Sequence, residues 1–247
     1  MINERFRIAI DTVIKNEKTL NGIGTYSEST LHAVLKNYYE PDSQRHELKV
    51  GKYVADIVGQ DGIIEIQTKQ LFRMKEKIRA FLAVSSVTVV YPVIKERFVV
   101  WRNAKTGDVT GKRKSPKHQN IYYAMEELYS LREFLPDPGF RFTVPVLSAE
   151  DYKDFNLDIN GRKTDIRRYD CIPTDLLEEE SFTCPADYVK LIPNGLPDVF
   201  SSDDFAKKAG IRRSLAGTVL NILFGIGIVA RVGRDKKGWI YSVPLQV

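Results

Sequence analysis

The sequence has few cysteines, and it lacks a long apolar segment and a glycine-rich phosphate-binding loop. Its two cysteines, Cys171 and Cys184, have no metal-type spacing, which favours a reduced, cytoplasmic location. The longest apolar stretch, residues 84–94, is shorter than the roughly 20 residues that cross a bilayer. The N-terminus lacks the apolar core of a secretory signal. Residues 22–24, Gly-Ile-Gly, have neither the preceding strand nor the lysine of a P-loop, so a P-loop protein is not expected.

The composition is that of an ordinary globular protein whose basic charge is unevenly distributed. Hydrophobic residues make up 43% of the 247 residues and charged residues 28%, which allows one sizeable core or a core with a small appendage. The net charge is +5. Basic residues gather in runs, which favours binding to a polyanion such as nucleic acid; solvated loops are the alternative. The runs are residues 112–118 (with Lys112, Arg113 and Lys114), 162–168, 212–213 and 231–237.

Residues 53–69 have the pattern of a β-hairpin that brings two carboxylates together. Apolar, β-branched flanks surround the turn residues 59–62, Gly-Gln-Asp-Gly. Directly opposed residues in a hairpin have Cβ atoms roughly 5 Å apart. Two carboxylates at that separation repel each other unless a proton, a cation or a metal lies between them. The predicted cross-strand pairs are Val58 with Ile63, Ile57 with Ile64, and Asp56 with Glu65.

Further polar groups are predicted on the same face of the hairpin. Strand alternation places Gln67 and Lys69 on the face of Glu65. An aspartate, a glutamate, an amide and an amine in a row suit a divalent cation that acts on phosphate. The alternative is an ordinary charged ladder on the solvent face of a hairpin.

The order of the predicted elements indicates an α/β (α+β) fold with a mixed β-sheet flanked by helices. An N-terminal helix is followed by a capping box at residues 25–28, which starts a second helix. Residues 25–102 then show the order αβββαβ, with a last strand after it. We assign residues 1–147 to one domain. Residues 148–185 are a linker or extension without an assigned structure.

Two polar residues near the hairpin are not included in the predicted site. The helix within residues 71–82 is amphipathic, and its pattern places Lys77 on the solvent side. His32 is interpreted as a partly buried structural residue of the preceding helix.

Residues 186–247 have the pattern of a winged helix-turn-helix. A helix over residues 203–209 is followed by a turn, a second helix from about Arg212 and a hairpin with a basic tip. The polar face of the second helix is expected to enter a major groove while the hairpin lies on phosphates; a protein contact is the alternative. The expected DNA-contacting residues of this module are Arg212, Arg213, Thr218, Asn221, Arg234, Lys236 and Lys237.

The motif and the element order resemble the PD-(D/E)XK nuclease superfamily, in particular archaeal Holliday junction resolvases and restriction-endonuclease-like proteins. Asp56 matches the metal-binding aspartate, Glu65-Ile66-Gln67 matches the (D/E)-X-K triplet, and Glu28 matches a helical glutamate ahead of the sheet. The resemblance implies Mg²⁺ or Mn²⁺ bound by Asp56 and Glu65. Gln67 departs from the pattern, because the superfamily usually has a lysine there.

The whole chain is also similar to a family of uncharacterised bacterial proteins classed as a domain of unknown function. That similarity implies no established activity. The shared segments are residues 30–36, 54–58 and 62–68.

Together these features predict a metal-dependent DNA endonuclease. The resemblance implies that Gln67 orients the nucleophile, that Lys69 neutralises the phosphate, and that Glu28 binds the metal or a metal-bound water. A degenerate nuclease fold that binds DNA without cutting it is the alternative, and Gln67 favours it. Because the cutting of two strands usually needs two sites, a homodimer is expected. No membrane partner is expected.

Overall fold

The computed structural model of the chain describes residues 2–20, 29–236 and 238–244, with the side chains of residues 3–15 in the first range. The helices are α1 (Ile2–Leu20), α2 (Thr30–Tyr39), α3 (Lys75–Leu82), α4 (Tyr122–Leu128), α5 (Ser202–Ala209) and α6 (Arg213–Gly225). The strands are β1 (His46–Val50), β2 (Tyr53–Gly59), β3 (Gly62–Ile66), β4 (Val87–Val90), β5 (Val93–Asn103), β6 (Val109–Lys114), β7 (Phe140–Leu157), β8 (Lys163–Phe182), β9 (Val199–Ser201), β10 (Ala230–Asp235) and β11 (Gly238–Ser242). Short 3-10 helices span Ser43–Arg45, Leu71–Met74, Tyr129–Phe134 and Pro185–Leu191.

Strands β1 to β8 form one mixed sheet. β1, β2 and β3 are antiparallel neighbours, and β3 runs parallel to β4. β4 and β5 both run parallel to β7 in the same register, so they follow one another along one edge of β7. β6 pairs with β5, and β8 pairs with the other edge of β7. A second, three-stranded sheet has the order β10-β11-β9.

Helices cover both faces of the mixed sheet, which confirms the predicted fold class. The order from α2 to β5 is also the predicted one. The apolar stripes of α1 and α2 bury one face, and those of α3 and α4 bury the other. Core residues of the first face include Phe6, Val34, Leu35, Ile57 and Ile66, and those of the second include Ile63, Ile78, Phe81 and Met125.

The second helix begins later than the sequence predicted. α2 starts at Thr30, and the Ser29 side chain caps it by accepting the backbone N–H of His32 at 3.4 Å. Serine is among the favoured N-cap residues, so it can serve in place of Thr25. Thr25 and Glu28 lie outside the described residues.

Residues 148–185, which had no predicted structure, form the second half of β7, all of β8 and the start of a 3-10 helix. β7 continues through residue 147 to Leu157, so the predicted boundary falls within a strand. The pairing of β7 with β8 contains four register shifts. Each shift interrupts the alternation by which a strand is recognised in a sequence.

The elements predicted for the C-terminal segment are present, and β9 is an additional strand. The segment packs against the rest of the protein, since Phe205 of α5 contacts Tyr122 of α4 edge-on, with ring centroids 5.8 Å apart. Throughout the described ranges, no helix is long and apolar enough to cross a bilayer.

Candidate functional site

The predicted hairpin forms in the predicted register. Ile57 pairs with Ile64 and Val58 with Ile63. Regular pairing between β2 and β3 stops one residue further on, where Asp56 stands opposite Glu65. The two strands therefore form a fork at the position of the two carboxylates.

β2 changes face at Asp56. Ile57 belongs to the core beneath α2, whereas Ala55 belongs to the core on the opposite face. Residues two apart in a regular strand share a face, so the strand rotates between them. The partner strand is irregular at the same place, because Glu47 has a left-handed backbone with φ of 54°. Such backbone costs of the order of 1–3 kcal/mol and is concentrated at functional sites.

At the fork, the two carboxylates replace backbone carbonyls as hydrogen-bond acceptors. Glu65 Oε1 accepts the N–H of Asp56 at 3.1 Å, and Asp56 Oδ2 accepts the N–H of Ile66 at 2.8 Å. These reciprocal bonds satisfy donors that the diverging strands leave unpaired. They also hold both carboxyl groups side by side at the end of β3.

Burial and mutual repulsion shift the pKa of one carboxyl upward. The Glu65 side chain is only 1% exposed. Its pKa is raised to about 7, first by burial and then by the negative charge of Asp56, against the opposing effect of Lys77. Burial also acts to raise the pKa of Asp56, but the hydrogen bond and charge of His32, the Ile66 N–H and Lys77 together lower it. The fork therefore holds one firmly ionised carboxylate and one that titrates near neutral pH.

Lys77 provides a cation at the fork. Its Nζ lies 2.5 Å from Glu65 Oε2, and its side chain is 22% exposed. The amphipathic pattern of α3 predicted a solvent position for Lys77, and this prediction was wrong. The ionised form of a buried carboxyl group requires a paired cation, and the first turn of α3 is the element that brings one to Glu65.

His32 closes the other side of the fork. Its Nε2 lies 3.0 Å from the Ile66 carbonyl oxygen and 3.3 Å from Asp56 Oδ2. Since a carbonyl oxygen only accepts, the shorter contact requires a proton on Nε2. Lys36 lies one turn further along α2, and its Nζ is 2.8 Å from Glu47. The polar side of α2 thus faces the irregular ends of β1 and β2.

The predicted row of Glu65, Gln67 and Lys69 on one strand face is not formed. β3 ends at Ile66, so strand alternation does not extend to Lys69. The backbone N–H of Gln67 still bonds to the Val90 carbonyl at 2.9 Å, and its side chain is half-buried. Lys69 is exposed and lies in a bend.

The donor set at the fork consists of hard oxygen atoms. Asp56 and Glu65 supply carboxylates, and His32 Nε2 contacts both the Ile66 carbonyl oxygen and Asp56 Oδ2. Within the described residues no group of three or more histidine, cysteine, aspartate or glutamate side chains is placed to hold a metal. Glu28, a further predicted ligand, lies outside those residues.

Sequence reasoning missed His32 and Lys77 as neighbours of the carboxylates. His32 and Lys36 are four residues apart, which places them on one helical face, and this spacing is a usable signal for a polar face. Lys77 had no such signal, because its contact with Glu65 depends on how α3 packs on the sheet.

The basic run on β6 is largely engaged by neighbouring carboxylates. Lys112 pairs with Glu150 at 2.5 Å, and Lys114 pairs with Glu96 at 2.9 Å. Arg113 is exposed. The run lies on an edge strand, where charged side chains also discourage pairing with another chain.

Several of the basic and polar residues predicted to contact DNA in α5, α6 and the hairpin β10–β11 also have partners within the protein. Arg212 pairs with Glu126 of α4 at 2.5 Å, and Arg213 pairs with Asp203 at 3.2 Å. The remaining contacts are Thr218 with the Ser214 carbonyl at 3.3 Å, Asn221 with Arg231 at 2.8 Å, and Arg234 with the Trp239 ring at 5.5 Å. Lys236 is exposed at the hairpin tip, and Lys237 lies outside the described residues.

Comparisons with known proteins identify a family of this chain. A family model described as "Domain of unknown function (DUF8091)" matches residues 29–183, from the N-cap of α2 to the end of β8. An uncharacterized protein of Treponema pallidum (strain Nichols) is 28% identical over 221 residues, which are 87% of this chain and 84% of that protein. No solved structure matches the chain. Since the family model covers more than half of the 247 residues, the chain belongs to the family of the domain of unknown function DUF8091.

Proposed function

We propose that this protein is a metal-dependent nuclease that hydrolyses phosphodiester bonds of DNA. The observation that carries the proposal is the convergence of the Asp56 and Glu65 carboxylates with the Ile66 carbonyl at the fork. The resemblance of this hairpin to the PD-(D/E)XK motif supports the same reading.

The donor chemistry of the fork fits Mg²⁺ or Mn²⁺. These ions prefer carboxylate and carbonyl oxygen, and Asp56, Glu65 and Ile66 would supply such ligands. When bound, the ion lowers the pKa of a water molecule and neutralises charge on the phosphate. The raised pKa of Glu65 is consistent with a cation site, because a bound metal ion would supply positive charge that favours the ionised form of this carboxyl group.

The residues around the carboxylates have separate roles in this proposal. Lys77 supplies the positive charge that the glutamine at position 67 cannot supply. Gln67 orients water through its amide. His32 donates from Nε2 to Asp56 and the Ile66 carbonyl and fixes the orientation of both. A donor placed where charge develops in the transition state is worth about a hundredfold or more in rate.

The C-terminal segment is proposed as the DNA-binding module. Its α5, α6 and β9–β11 occur in the order of a winged helix, and the tip at Lys236 carries exposed basic charge. Duplex contacts there would position the substrate, while the fork performs the chemistry. A homodimer that cuts both strands remains part of the proposal.

A DNA-binding protein without nuclease activity is the second candidate. The observation that favours it is the ammonium group of Lys77, which already pairs with Glu65 at 2.5 Å where a metal would need that carboxylate. In this case the ion pair stabilises the fork and the fold serves as a scaffold.

Titration of Mn²⁺ or Mg²⁺ by calorimetry, followed by DNA cleavage assays, distinguishes the two candidates. We expect micromolar-to-millimolar binding and metal-dependent cleavage of branched or linear DNA by the wild type. Asp56→Asn keeps an acceptor for the Ile66 N–H but should lose both activities. Asp61→Asn, in the turn of the same hairpin, is the matched control and should retain both. Cleavage by the wild type in excess chelator would contradict the nuclease proposal, and DNA binding without metal binding would support the scaffold.

A further inference from the structure

The main sheet contains a gap in which a cleft of about 710 Å³ opens. β3 pairs with β4 as far as Ile66, and β6 pairs with β5 as far as Lys114, both on the same edge of the interrupted strand β4–β5. Between them, no strand of the described chain covers the edge around Tyr91 and Pro92. These two residues line the cleft.

The cleft begins where the candidate metal site ends. Thr68 and Lys69 follow closely after Ile66, and both line the cleft. Leu31 also lines it, and the next residue, His32, contacts Asp56. A strand whose phosphate lies at the fork would therefore continue directly into the cleft.

Two cations that line the cleft, Lys69 and Arg168, are exposed to solvent. Lys69 is exposed, and it makes no ion pair with any residue that the structure describes. Arg97 and Arg168 line the cleft and share one carboxylate, Asp151, at 2.7 and 3.1 Å. The Arg168 side chain is 58% exposed.

The carboxylates that line the cleft are already engaged by donors. Glu126 pairs with Arg212, and Glu127 accepts the backbone N–H of Leu71 at 2.9 Å. Asp170 accepts the N–H of Cys171 at 2.7 Å and also bonds to Thr30 at the start of α2. Their charge is therefore partly compensated. Lys69 and the exposed Arg168, which shares Asp151 with Arg97, are the cations that attract an anion.

Aromatic rings line the same cleft as these cations. Tyr91, Tyr123 and Tyr169 all line the cleft. Tyr169 is 39% exposed, and the guanidinium of Arg102 lies 3.4 Å from the centroid of its ring. Tyrosine faces next to phosphate-binding cations are the usual means of holding an unpaired base, because every base has a π-face.

We propose that this cleft binds an unpaired nucleotide, so that the protein acts on nucleic acid with a single-stranded region. Pockets of about 300–1,000 Å³ enclose molecules of nucleotide size, whereas a duplex cannot enter one. Lys69 and Arg168 hold the phosphate, and Tyr123 stacks on the base. The path of the nucleic-acid strand from the cleft toward Asp56 rests on the proposed function. The binding of a nucleotide in the cleft does not depend on it.

Fluorescence anisotropy in excess chelator tests this inference without any cleavage. The probes are a short labelled oligodeoxyuridine, an oligouridine of equal length and a duplex of equal length. We expect both single strands to bind, and the ratio of their dissociation constants identifies the sugar preference. Because the C-terminal segment is proposed to bind duplex DNA, duplex binding is compared between the wild type and Tyr123→Ala, which should bind the duplex equally well. Tyr123→Ala should weaken single-strand binding about tenfold, and Tyr123→Phe should not. Lys69→Gln should make the salt dependence shallower by about 0.7 in slope.

Controls separate the cleft from other basic surfaces and from the metal site. Lys52→Gln, on the turn between β1 and β2, removes the same charge elsewhere and should leave the affinity and salt slope unchanged. Because the assay contains excess chelator, single-strand binding is expected whether or not cleavage is ever observed. Photocrosslinking of a single strand that contains bromodeoxyuridine to the wild-type protein should label residues of the cleft. This measurement does not depend on the folding of any variant. Equal single-strand affinity of Tyr123→Ala and the wild type, an equal loss of duplex and single-strand affinity in that variant, or crosslinks confined to the C-terminal segment would overturn the inference.

Discussion

The charged residues at the fork stabilise one another in their buried positions. Glu65 is buried at 1% exposure, and it is tolerated there because Lys77 and the Asp56 N–H satisfy its two oxygens. Asp56 is held ionised by His32, the Ile66 N–H and Lys77. Removal of one member leaves the others desolvated and unpaired, so substitutions at the fork are expected to affect more than one property.

Replacement of Lys77 tests the role assigned to it in catalysis. Lys77→Gln should lower kcat about a hundredfold with little change in KM, since its charge acts on the developing negative charge of the phosphate. Steady-state cleavage kinetics with a defined oligonucleotide provide the measurement. Lys75→Gln is the matched control on α3, because Lys75 pairs with Glu133 at 3.3 Å, away from the fork. Wild-type kcat in Lys77→Gln would show that the cation is only structural.

The raised pKa of Glu65 predicts how stability depends on pH. Between pH 4.5 and about 7 the folded state holds a proton on Glu65 that the unfolded state has released. The free energy of unfolding therefore falls as pH rises through this window. At about 1.4 kcal/mol per unit of pKa difference, the loss is of the order of 3 kcal/mol.

Denaturant unfolding in chelator, at several pH values, measures this effect as a difference between the wild type and Glu65→Gln. The variant carries no titrating group at this position, so the advantage of the wild type should shrink as pH increases. A difference that stays constant from pH 4.5 to 7 would show that Glu65 is ionised throughout this range.

The sequence was sufficient to predict the carboxylate pair but not its surroundings. Asp56 and Glu65 follow from hairpin symmetry, which depends only on local turn chemistry and strand alternation. Lys77 and His32 reach the fork from helices on opposite faces of the sheet, so their contacts depend on long-range packing. Lys69 was placed on a strand that in fact ends three residues earlier, at Ile66.

At the scale of elements, the turn between β2 and β3 depends on a glycine. Gly62 has φ of 120°, and a Cβ built there would lie 2.5 Å from the backbone oxygen of Ser86 and closer still to its Oγ. Gly62→Ala should therefore destabilise the protein by at least about 2 kcal/mol, through both strain and overlap. Thermal or denaturant unfolding provides the measurement.

Gly217→Ala provides the matched control for this substitution. Gly217 lies inside α6, and an added Cβ would meet nothing within 4 Å. Since alanine is favoured over glycine in a helix interior by about 1 kcal/mol, this variant should be more stable than the wild type. Equal effects of the two substitutions would contradict the close approach of β3 to Ser86.

Strands with regular alternation were predictable, whereas the longest strand pair was not. Within the hairpin of β2 and β3, apolar and polar residues define a register that the structure confirms. In β8, pairs such as Arg168 with Asp151 place charged residues along the strand, and bulges shift the pattern. The formation of β8 therefore depends on its pairing with β7 rather than on an alternation of apolar and polar residues in its own sequence.

At the scale of the whole molecule, one apolar cluster connects the sheet to the C-terminal segment. It contains Ile63 and Phe81 on the sheet side together with Phe205 and Leu215 of α5 and α6. A shared core of this kind couples the unfolding of its parts, because neither part keeps its buried surface alone. We therefore expect the predicted nuclease-like domain and the C-terminal module to unfold together, as one cooperative unit.

Differential scanning calorimetry should show one cooperative transition for the full chain, with equal calorimetric and van't Hoff enthalpies. Phe205 is fully buried, so Phe205→Ala should lower the free energy of unfolding by about 3–5 kcal/mol and shift this single transition as a whole. Phe72→Ala is the control, because Phe72 is 54% exposed and its loss should have little effect. Two separate transitions, with only one of them shifted by Phe205→Ala, would show that the C-terminal segment folds as an independent module.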